Sequence, residues 1–273
     1  MSETRINDAS LHYELNGAGT PIVFIHGGWL SGDMWESQIE HFSDEYQILT
    51  YDVRGHGQTG SSSRTTYSID LFVDDLRALI ETLSLDAPIL CGLSLGSMIA
   101  QTYASRYPED VRGLVLAGTM RSFPPLPITR LQQEVVFPRV PLYASMRLLG
   151  ARSYFRLLLR GIRAAQGHHW IALKNENRSY AFDEVRRLDT NEFIKIFDAM
   201  YKFDSRGDLG ITASTLVLTA DHEADPVIQQ SNQLASIIEN ASKQTIADAG
   251  HLSNLDNPRE FNRELGRFLS NIE

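Results

Sequence analysis

The sequence contains few of the features that mark secreted, metal-caging or membrane-spanning chains. Its 273 residues include a single cysteine, Cys91, so an intramolecular disulfide and a cysteine-based metal cage are excluded. No apolar run approaches the roughly 18 residues of a membrane span. The N-terminal stretch MSETRINDAS also lacks the apolar core of a signal peptide. We therefore expect a cytoplasmic protein that does not act in a membrane.

Positive charge is scarce as well. The chain has 25 Lys and Arg against 34 Asp and Glu, a formal net charge of −9. Nucleic acids and anionic membrane surfaces are bound by clustered Lys and Arg, so the overall charge argues against both as partners. The hydrophobic fraction of 42% is ordinary for a globular chain. The composition does not determine the oligomeric state, so a monomer and a homodimer are both compatible with it.

Short apolar runs alternate with helical patterns along most of the chain. PIVFIHG (21–27) and PILCGLS (88–94) have the composition of buried strands, whereas residues 69–85 show helical spacing. Continuous apolar strands separated by amphipathic helices indicate a parallel sheet covered on both faces. We therefore predict an α/β fold with a mostly parallel central sheet flanked by helices.

Residues 120–205 interrupt this alternation. They begin with a proline-rich stretch, which disfavours regular structure, and continue through long helical patterns that include residues 142–163. The segment is too long for one crossover connection. It predicts a helical cap inserted into a core domain of residues 1–119 and 206–273, above the strand ends where open α/β sheets bind ligands. An apolar stripe in the cap is assigned to packing: Leu148, Phe155, Leu158 and Leu159.

Ser94 lies in CGLSLGS, at the junction of a predicted strand and a predicted helix. Gly92 and Gly96 flank it in the pattern G-x-S-x-G, which is weak alone but specific between a strand and a helix. A sharp turn there lifts the hydroxyl above the sheet. We therefore predict that Ser94 is a nucleophile.

A serine hydroxyl becomes an effective nucleophile only when a base takes its proton. His251 follows the last predicted strand, so it lies at the same sheet edge as Ser94 and is the predicted base. The base in turn needs a carboxylate that orients it. The loop after TLVLTA offers Glu223, ranked first, then Asp221 and then Asp225, and the order serine, acid, histidine fits all three.

Backbone amides near Ser94 are the predicted oxyanion donors. The amide of Leu95 follows the nucleophile directly, and the glycine-rich HGGWLSG loop supplies Gly28, with Trp29 as the alternative. Trp29 and Leu95 flank this loop, so both are predicted to line the substrate pocket. His26 is predicted to orient the loop through hydrogen bonds.

Four segments together resemble the α/β-hydrolase superfamily: FIHGGWLSGDMW, YDVRGHGQTG, CGLSLGSMIAQTYASRYPEDVRGLVLAGT and DAGHLSNLDNPREF. The first half is most similar to esterases, enol-lactonases and cofactor-free, haloperoxidase-like perhydrolases. The resemblance implies Ser94 as nucleophile, His251 as base and the Gly28 and Leu95 amides as the oxyanion hole. The sequence departs from the family pattern in the acid loop, where Ala220 replaces the usual glycine and Glu223 the usual aspartate.

These residues predict a serine hydrolase that cleaves a carboxylic ester or lactone through an acyl-enzyme. The aromatic cap favours a small hydrophobic substrate, and no cofactor or metal is expected. The same triad could instead serve C–C bond hydrolysis, acyl transfer or perhydrolysis. A non-catalytic ligand receptor built on this scaffold is the third possibility.

Overall fold

A central sheet of eight strands organises the protein. The computed structural model describes residues 2–207 and 209–272. The strands are β1 (Ser2–Ile6), β2 (Ala9–Asn16), β3 (Pro21–Ile25), β4 (Gln47–Tyr51), β5 (Ile89–Leu93), β6 (Gly113–Ala117), β7 (Ser214–Ala220) and β8 (Ala241–Ile246). Their order in the sheet is β1-β2-β4-β3-β5-β6-β7-β8. The pairs β1–β2 and β2–β4 are antiparallel, and all other pairs are parallel.

Helices cover the sheet and follow most of its strands. They are α1 (Glu36–Phe42), α2 (Ile69–Thr82), α3 (Leu95–Arg106), α4 (Arg130–Val136), α5 (Arg139–Leu149), α6 (Ala151–Gln166), α7 (Asn175–Arg187), α8 (Thr190–Tyr201), α9 (Asp225–Ile237), α10 (Ser253–Asp256) and α11 (Pro258–Leu269). Every residue of β3, β5 and β6 is buried, which explains the unbroken apolar runs of these strands. The predicted mostly parallel α/β sheet is confirmed.

The structure contains one hairpin that the sequence did not predict and one break in a helix predicted to be continuous. The N-terminal hairpin of β1 and β2 was not predicted, because SETRI is polar and mostly exposed at the sheet edge. The helical pattern over 142–163 predicted continuous helix, yet the chain breaks between α5 and α6. Gly150 lies there at φ 74°, which favours glycine and ends α5.

Five helices, α4 to α8, lie between β6 and β7, and we call this segment the helical insertion. It contacts the core beside the final strand, where the amides of His251 and Leu252 donate to the carbonyls of Trp170 and Ile171 at 2.8 and 2.9 Å. The division into a core of 1–119 and 206–273 and a cap of 120–205 stays a prediction. Among the residues described, none of the helices combines the length and the apolar character that crossing a bilayer requires.

Candidate active site

Ser94 occupies a strained turn between β5 and α3. Its backbone has φ 56° and ψ −112°, a conformation that side-chain-bearing residues rarely adopt. The Ser94 amide donates to the carbonyl of Ala117 at 2.9 Å, and the Ser97 hydroxyl donates to the Ser94 carbonyl at 2.6 Å. These bonds hold the turn in place, so the strained backbone is built into the fold.

The two flanking glycines are required by close packing. A Cβ on Gly92 would lie 2.2 Å from the carbonyl oxygen of Gly96. A Cβ on Gly96 would lie 2.0 Å from the carbonyl oxygen of Ile25. Because both distances are far below van der Waals contact, only glycine lets α3 approach β3 and β5 this closely. The sharp turn inferred from G-x-S-x-G therefore has a steric basis.

His251 and Glu223 form a buried hydrogen-bonded pair. The Nδ1 of His251 lies 2.7 Å from Oε2 of Glu223, and neither residue exceeds 3% exposure. The other carboxylate oxygen, Oε1, accepts from the Ala224 amide at 2.9 Å. This arrangement fixes the ring so that Nδ1 faces the acid and Nε2 remains for another partner.

The other two candidate acids do not contact His251. Asp221 accepts hydrogen bonds from the amides of Asp248 and Ala249 at 2.9 and 3.0 Å, and its Oδ1 lies 2.8 Å from Nδ1 of His222. Burial alone would raise the pKa of Asp221, but these hydrogen bonds lower it below its ordinary value. Asp221 therefore stabilises the loop before His251. Asp225 is exposed at the start of α9.

Trp170 of the helical insertion also contacts Glu223, and no sequence pattern predicted this contact. Its indole Nε1 donates to Oε1 of Glu223. Its ring lies on the imidazole of His251, with centroids 4.5 Å apart and an angle of 33° between the planes. No motif surrounds Trp170, and 53 residues separate it from Glu223. Only the folded arrangement identifies it.

Gly118, the residue after β6, lies against the same pair and was also missed. Its φ is 51°, and a Cβ there would lie 2.9 Å from Cε1 of His251 and 3.3 Å from Oε2 of Glu223. A side chain at this position would therefore displace the imidazole. A glycine that follows a strand is common in any sequence, so no pattern indicates that this one makes room for the imidazole.

The predicted oxyanion donors lie next to one another. A Cβ built on Gly28 would be 3.6 Å from Cβ of Leu95, so the two residues are neighbours in the fold. In the chain as described, the amides of Gly28, Trp29 and Leu95 have no hydrogen-bond acceptor. Backbone amides without an acceptor, next to a serine hydroxyl, are suited to donate to an oxyanion.

His26 joins the glycine loop to the segment after β4. The ring is fully buried, its Nε2 accepts from the Val53 amide at 2.9 Å, and its Nδ1 donates to the Gly27 carbonyl at 2.8 Å. Since Nε2 accepts, the proton of the neutral ring is on Nδ1. This geometry agrees with the predicted orienting role of His26.

A cavity of about 590 Å³ opens above Ser94. Ser94, His251 and Gly28 line it together, and the helical insertion contributes Phe155 and Trp170 among others. Most lining side chains are apolar, and among the residues that the structure describes only Asp225 and His251 bring a charged or titratable group to the wall. The cavity therefore offers an apolar environment to whatever binds next to the hydroxyl.

Of the two side chains predicted to line the pocket, Trp29 does so and Leu95 does not. Trp29 lines the cavity, stacks on Phe193 with centroids 4.5 Å apart, and donates from Nε1 to the Phe193 carbonyl at 3.2 Å. Leu95 is fully buried and is not among the lining residues. As the first residue of α3, it packs its side chain beneath Gly28, so the prediction of Leu95 as a pocket side chain is wrong, and only its amide is available to the site.

The chain belongs to the α/β-hydrolase family. A family model described as the alpha/beta hydrolase fold matches residues 20–258, which is most of the sequence. The chain is therefore a hydrolase of this family, as the four segments indicated.

Relatives with stated activities include hydrolases of several bond types. The chain is 25% identical over 279 aligned positions to (E)-2-((N-methylformamido)methylene)succinate hydrolase of Acinetobacter baylyi, covering 96% of this chain and 95% of that protein. It is 33% identical over 114 residues to 3-oxoadipate enol-lactonase 2 of the same species, covering 41% and 42%. A thermophilic esterase from Thermogutta terrifontis superposes with a TM-score of 0.84 at 21% identity, over 100% and 99% of the two chains. At this identity the superposition shows the fold.

Proposed function

We propose that the protein is a serine hydrolase that cleaves uncharged, apolar carboxylic esters or lactones. The observation that carries the proposal is the shared cavity: Ser94 and His251 line one apolar space, and Glu223 is hydrogen-bonded to the histidine behind it. In this mechanism Nε2 of His251 takes the proton of Ser94 as its Oγ attacks the carbonyl carbon. Glu223 stabilises the imidazolium that forms.

The amides of Gly28 and Leu95 receive the developing oxyanion in this proposal. Each donor of this kind contributes about 3 kcal/mol to transition-state stabilisation. The protonated His251 then gives its proton to the leaving alcohol, and an acyl-enzyme on Ser94 results. Water, deprotonated by His251, attacks the acyl carbonyl, releases the acid and restores Ser94.

The cavity lining supports the choice of an uncharged substrate. A carboxylate-bearing substrate would lose hydration there without gaining a cationic partner. The lining residues that the structure describes include no Lys or Arg, and the exposed carboxylate of Asp225 would repel such a substrate. The helical insertion supplies most of the aromatic wall, so we propose that it acts as the cap over the site.

The test uses two substrates of similar size that differ in charge, p-nitrophenyl butyrate and mono-p-nitrophenyl succinate. We expect kcat/KM to be at least about tenfold higher for the butyrate, since only the succinate brings a carboxylate into the apolar cavity. Ser94→Ala must abolish turnover of both. Undiminished turnover by Ser94→Ala would overturn the nucleophile assignment, and preference for the succinate would overturn the substrate class.

A further inference from the structure

The net charge of −9 is distributed very unevenly along the chain. Residues 121–166 contain eight arginines, no lysine and a single acid, Glu134. This segment, which includes α4, α5 and α6, therefore carries seven net positive charges, while the rest of the chain carries sixteen net negative charges. Its charge is thus opposite to that of the rest of the molecule.

Four of these arginines form a stripe on α6: Arg152, Arg156, Arg160 and Arg163. At 3.6 residues per turn they fall within an arc of about 80°, and all four side chains are exposed. None of the four is paired with an acid in residues 2–207 and 209–272. Like charges spaced three or four residues apart repel on a helix, so this stripe destabilises α6 unless an anion neutralises it.

Exposed leucines accompany the arginine stripe. Leu157 follows Arg156 on α6 and is 58% exposed. Leu148, in the last turn of α5, is 86% exposed because the break at Gly150 removes it from the apolar face of α6. We call the arginine stripe with Leu148 and Leu157 the basic face. Arginines beside exposed leucines are typical of helices that lie on anionic membranes.

We propose that the basic face docks on an anionic lipid surface. A phosphate-rich surface supplies the missing counter-charges, and the acyl region just below it accepts the leucines. A nucleic acid would satisfy the arginines but leave Leu148 and Leu157 in water. The acidic remainder of the chain is repelled by anionic lipid, so charge alone fixes which side of the molecule approaches. This proposal departs from the expectation drawn from net charge.

Docking would place the cavity close to the lipid. The opposite side of α6 contributes Phe155, Leu158 and Ile162 to the cavity wall, so the basic face and the cavity are two sides of one helix. An apolar ester dissolved in the bilayer would then lie about one helix diameter from the cavity, roughly 10 Å. The docking itself does not depend on the proposed hydrolysis, because lipid binding is measured without turnover.

The test is co-sedimentation of the full chain with vesicles of phosphatidylcholine alone and of phosphatidylcholine and phosphatidylglycerol at three to one. We expect partition into the anionic vesicles to be at least about tenfold stronger and to weaken with salt. The double variant Arg156→Gln/Arg160→Gln should lower the anionic partition coefficient about 25-fold, about fivefold per arginine. Leu157→Trp should show blue-shifted emission when anionic vesicles are added.

The matched control is Arg5→Gln/Arg259→Gln, which removes two exposed arginines from the core and changes the net charge equally. We expect it to change vesicle partition less than about twofold. Equal partition into both kinds of vesicle, or equal losses in the two double variants, would overturn the proposal. Binding to heparin without binding to anionic vesicles would also overturn it, in favour of a soluble polyanion as the partner.

Discussion

At the scale of single residues, the Glu223 carboxylate is the most constrained group in the candidate site. His251 contacts one oxygen, and Trp170 and the Ala224 amide donate to the other. The sequence ranked three acids in this loop but could not exclude any of them, because all three fit the chain order serine, acid, histidine. The distance to His251 separates them.

Replacing the acids one at a time tests this ranking. We expect Glu223→Gln to lower kcat by about 10³- to 10⁴-fold, because the amide can no longer hold His251 in the required tautomer. Asp225→Asn should retain activity within about twofold, and Asp221→Asn should lose stability more than kcat. Turnover on p-nitrophenyl butyrate is the measurement. A Glu223→Gln enzyme with near-normal kcat would refute the assignment.

Trp170 is expected to act as a positioning residue through Glu223. Trp170→Phe keeps a ring on His251 but removes the indole donor, so Glu223 and the imidazole it orients are held less firmly and we expect kcat to fall about tenfold. The loss should appear in kcat for p-nitrophenyl butyrate, while KM changes less than about twofold, because Trp170 acts through Glu223.

Trp29→Phe is the matched control, because it also removes an indole N–H from the cavity wall but one that does not reach Glu223. Its kcat should stay within about twofold of the wild-type value. If Trp170→Phe and Trp29→Phe lower kcat equally, the effect belongs to the cavity wall and not to the acid.

At the scale of elements, the junction between the helical insertion and the His251 loop decides the site geometry. Residues 170–171 pair with 251–252, and Gly250 permits the approach because a Cβ there would lie 2.6 Å from the Trp170 carbonyl oxygen. Asp256 links both sides, accepting from the amides of Leu173 and Gly250 at 2.7 and 2.9 Å.

Asp256→Asn should weaken this junction. The Leu173 and Gly250 amides donate to Oδ2 and the Lys174 amide donates to Oδ1, so in either orientation an amide group presents N–H to at least one of these donors. We therefore expect the free energy of unfolding to fall by about 1 to 3 kcal/mol. We also expect kcat to fall, because Trp170 and His251 lose their common anchor. Urea unfolding and ester turnover measure the two effects. Asp86→Asn, at an exposed carboxylate, is the control, and an equal effect there would contradict the role of Asp256.

The elements themselves were predictable to different degrees. The apolar runs of β3, β5 and β6 gave clear signals because all their residues are buried. The helical periodicity over 142–163 gave a misleading signal, because the apolar spacing continues across Gly150 whereas the helix ends there. The stripe containing Leu148 and Phe155 was therefore predicted on one face, although Phe155 lines the cavity and Leu148 faces solvent.

At the scale of the whole molecule, averages conceal the distribution of charge. The net charge of −9 has the same sign as the rest of the chain but the opposite sign to residues 121–166. The shape of the cavity was similarly beyond the sequence, since its wall is assembled from the glycine loop, the insertion and the His251 loop. Motifs located Ser94 and His251, but only the fold gives the shape and polarity around them.

Two buried histidines near the glycine loop contribute to the pH dependence of global stability. Burial lowers the pKa of His26, and burial together with the His26 ring lowers the pKa of His56 well below its ordinary value. Below about pH 6.5 both rings become protonated in the unfolded chain, whereas in the folded chain they stay neutral to lower pH because their pKa values are lowered. The free energy of unfolding should therefore be unaffected by these groups above that pH and decrease below it, by up to about 1.4 kcal/mol per pH unit for each ring.

Urea unfolding at pH 7.5, 6.5 and 5.5 checks this dependence. His56→Phe should reduce the slope of unfolding free energy against pH between pH 6.5 and 5.5 by up to about 1.4 kcal/mol per pH unit, the amount expected for one proton. His41→Gln, at an exposed ring, should leave this slope unchanged. An unaltered slope in His56→Phe would show that the loss of stability at low pH arises elsewhere.

The central claim is that His251, held by Glu223, activates the hydroxyl of Ser94. The most direct measurement is peptide mass spectrometry after brief treatment with a fluorophosphonate, comparing the wild-type chain with His251→Asn. The account predicts a single phosphonyl adduct on Ser94 in the wild type and labelling slowed at least about 10³-fold in the variant. Labelling at another residue, or equal labelling of Ser94 in both proteins, would contradict it.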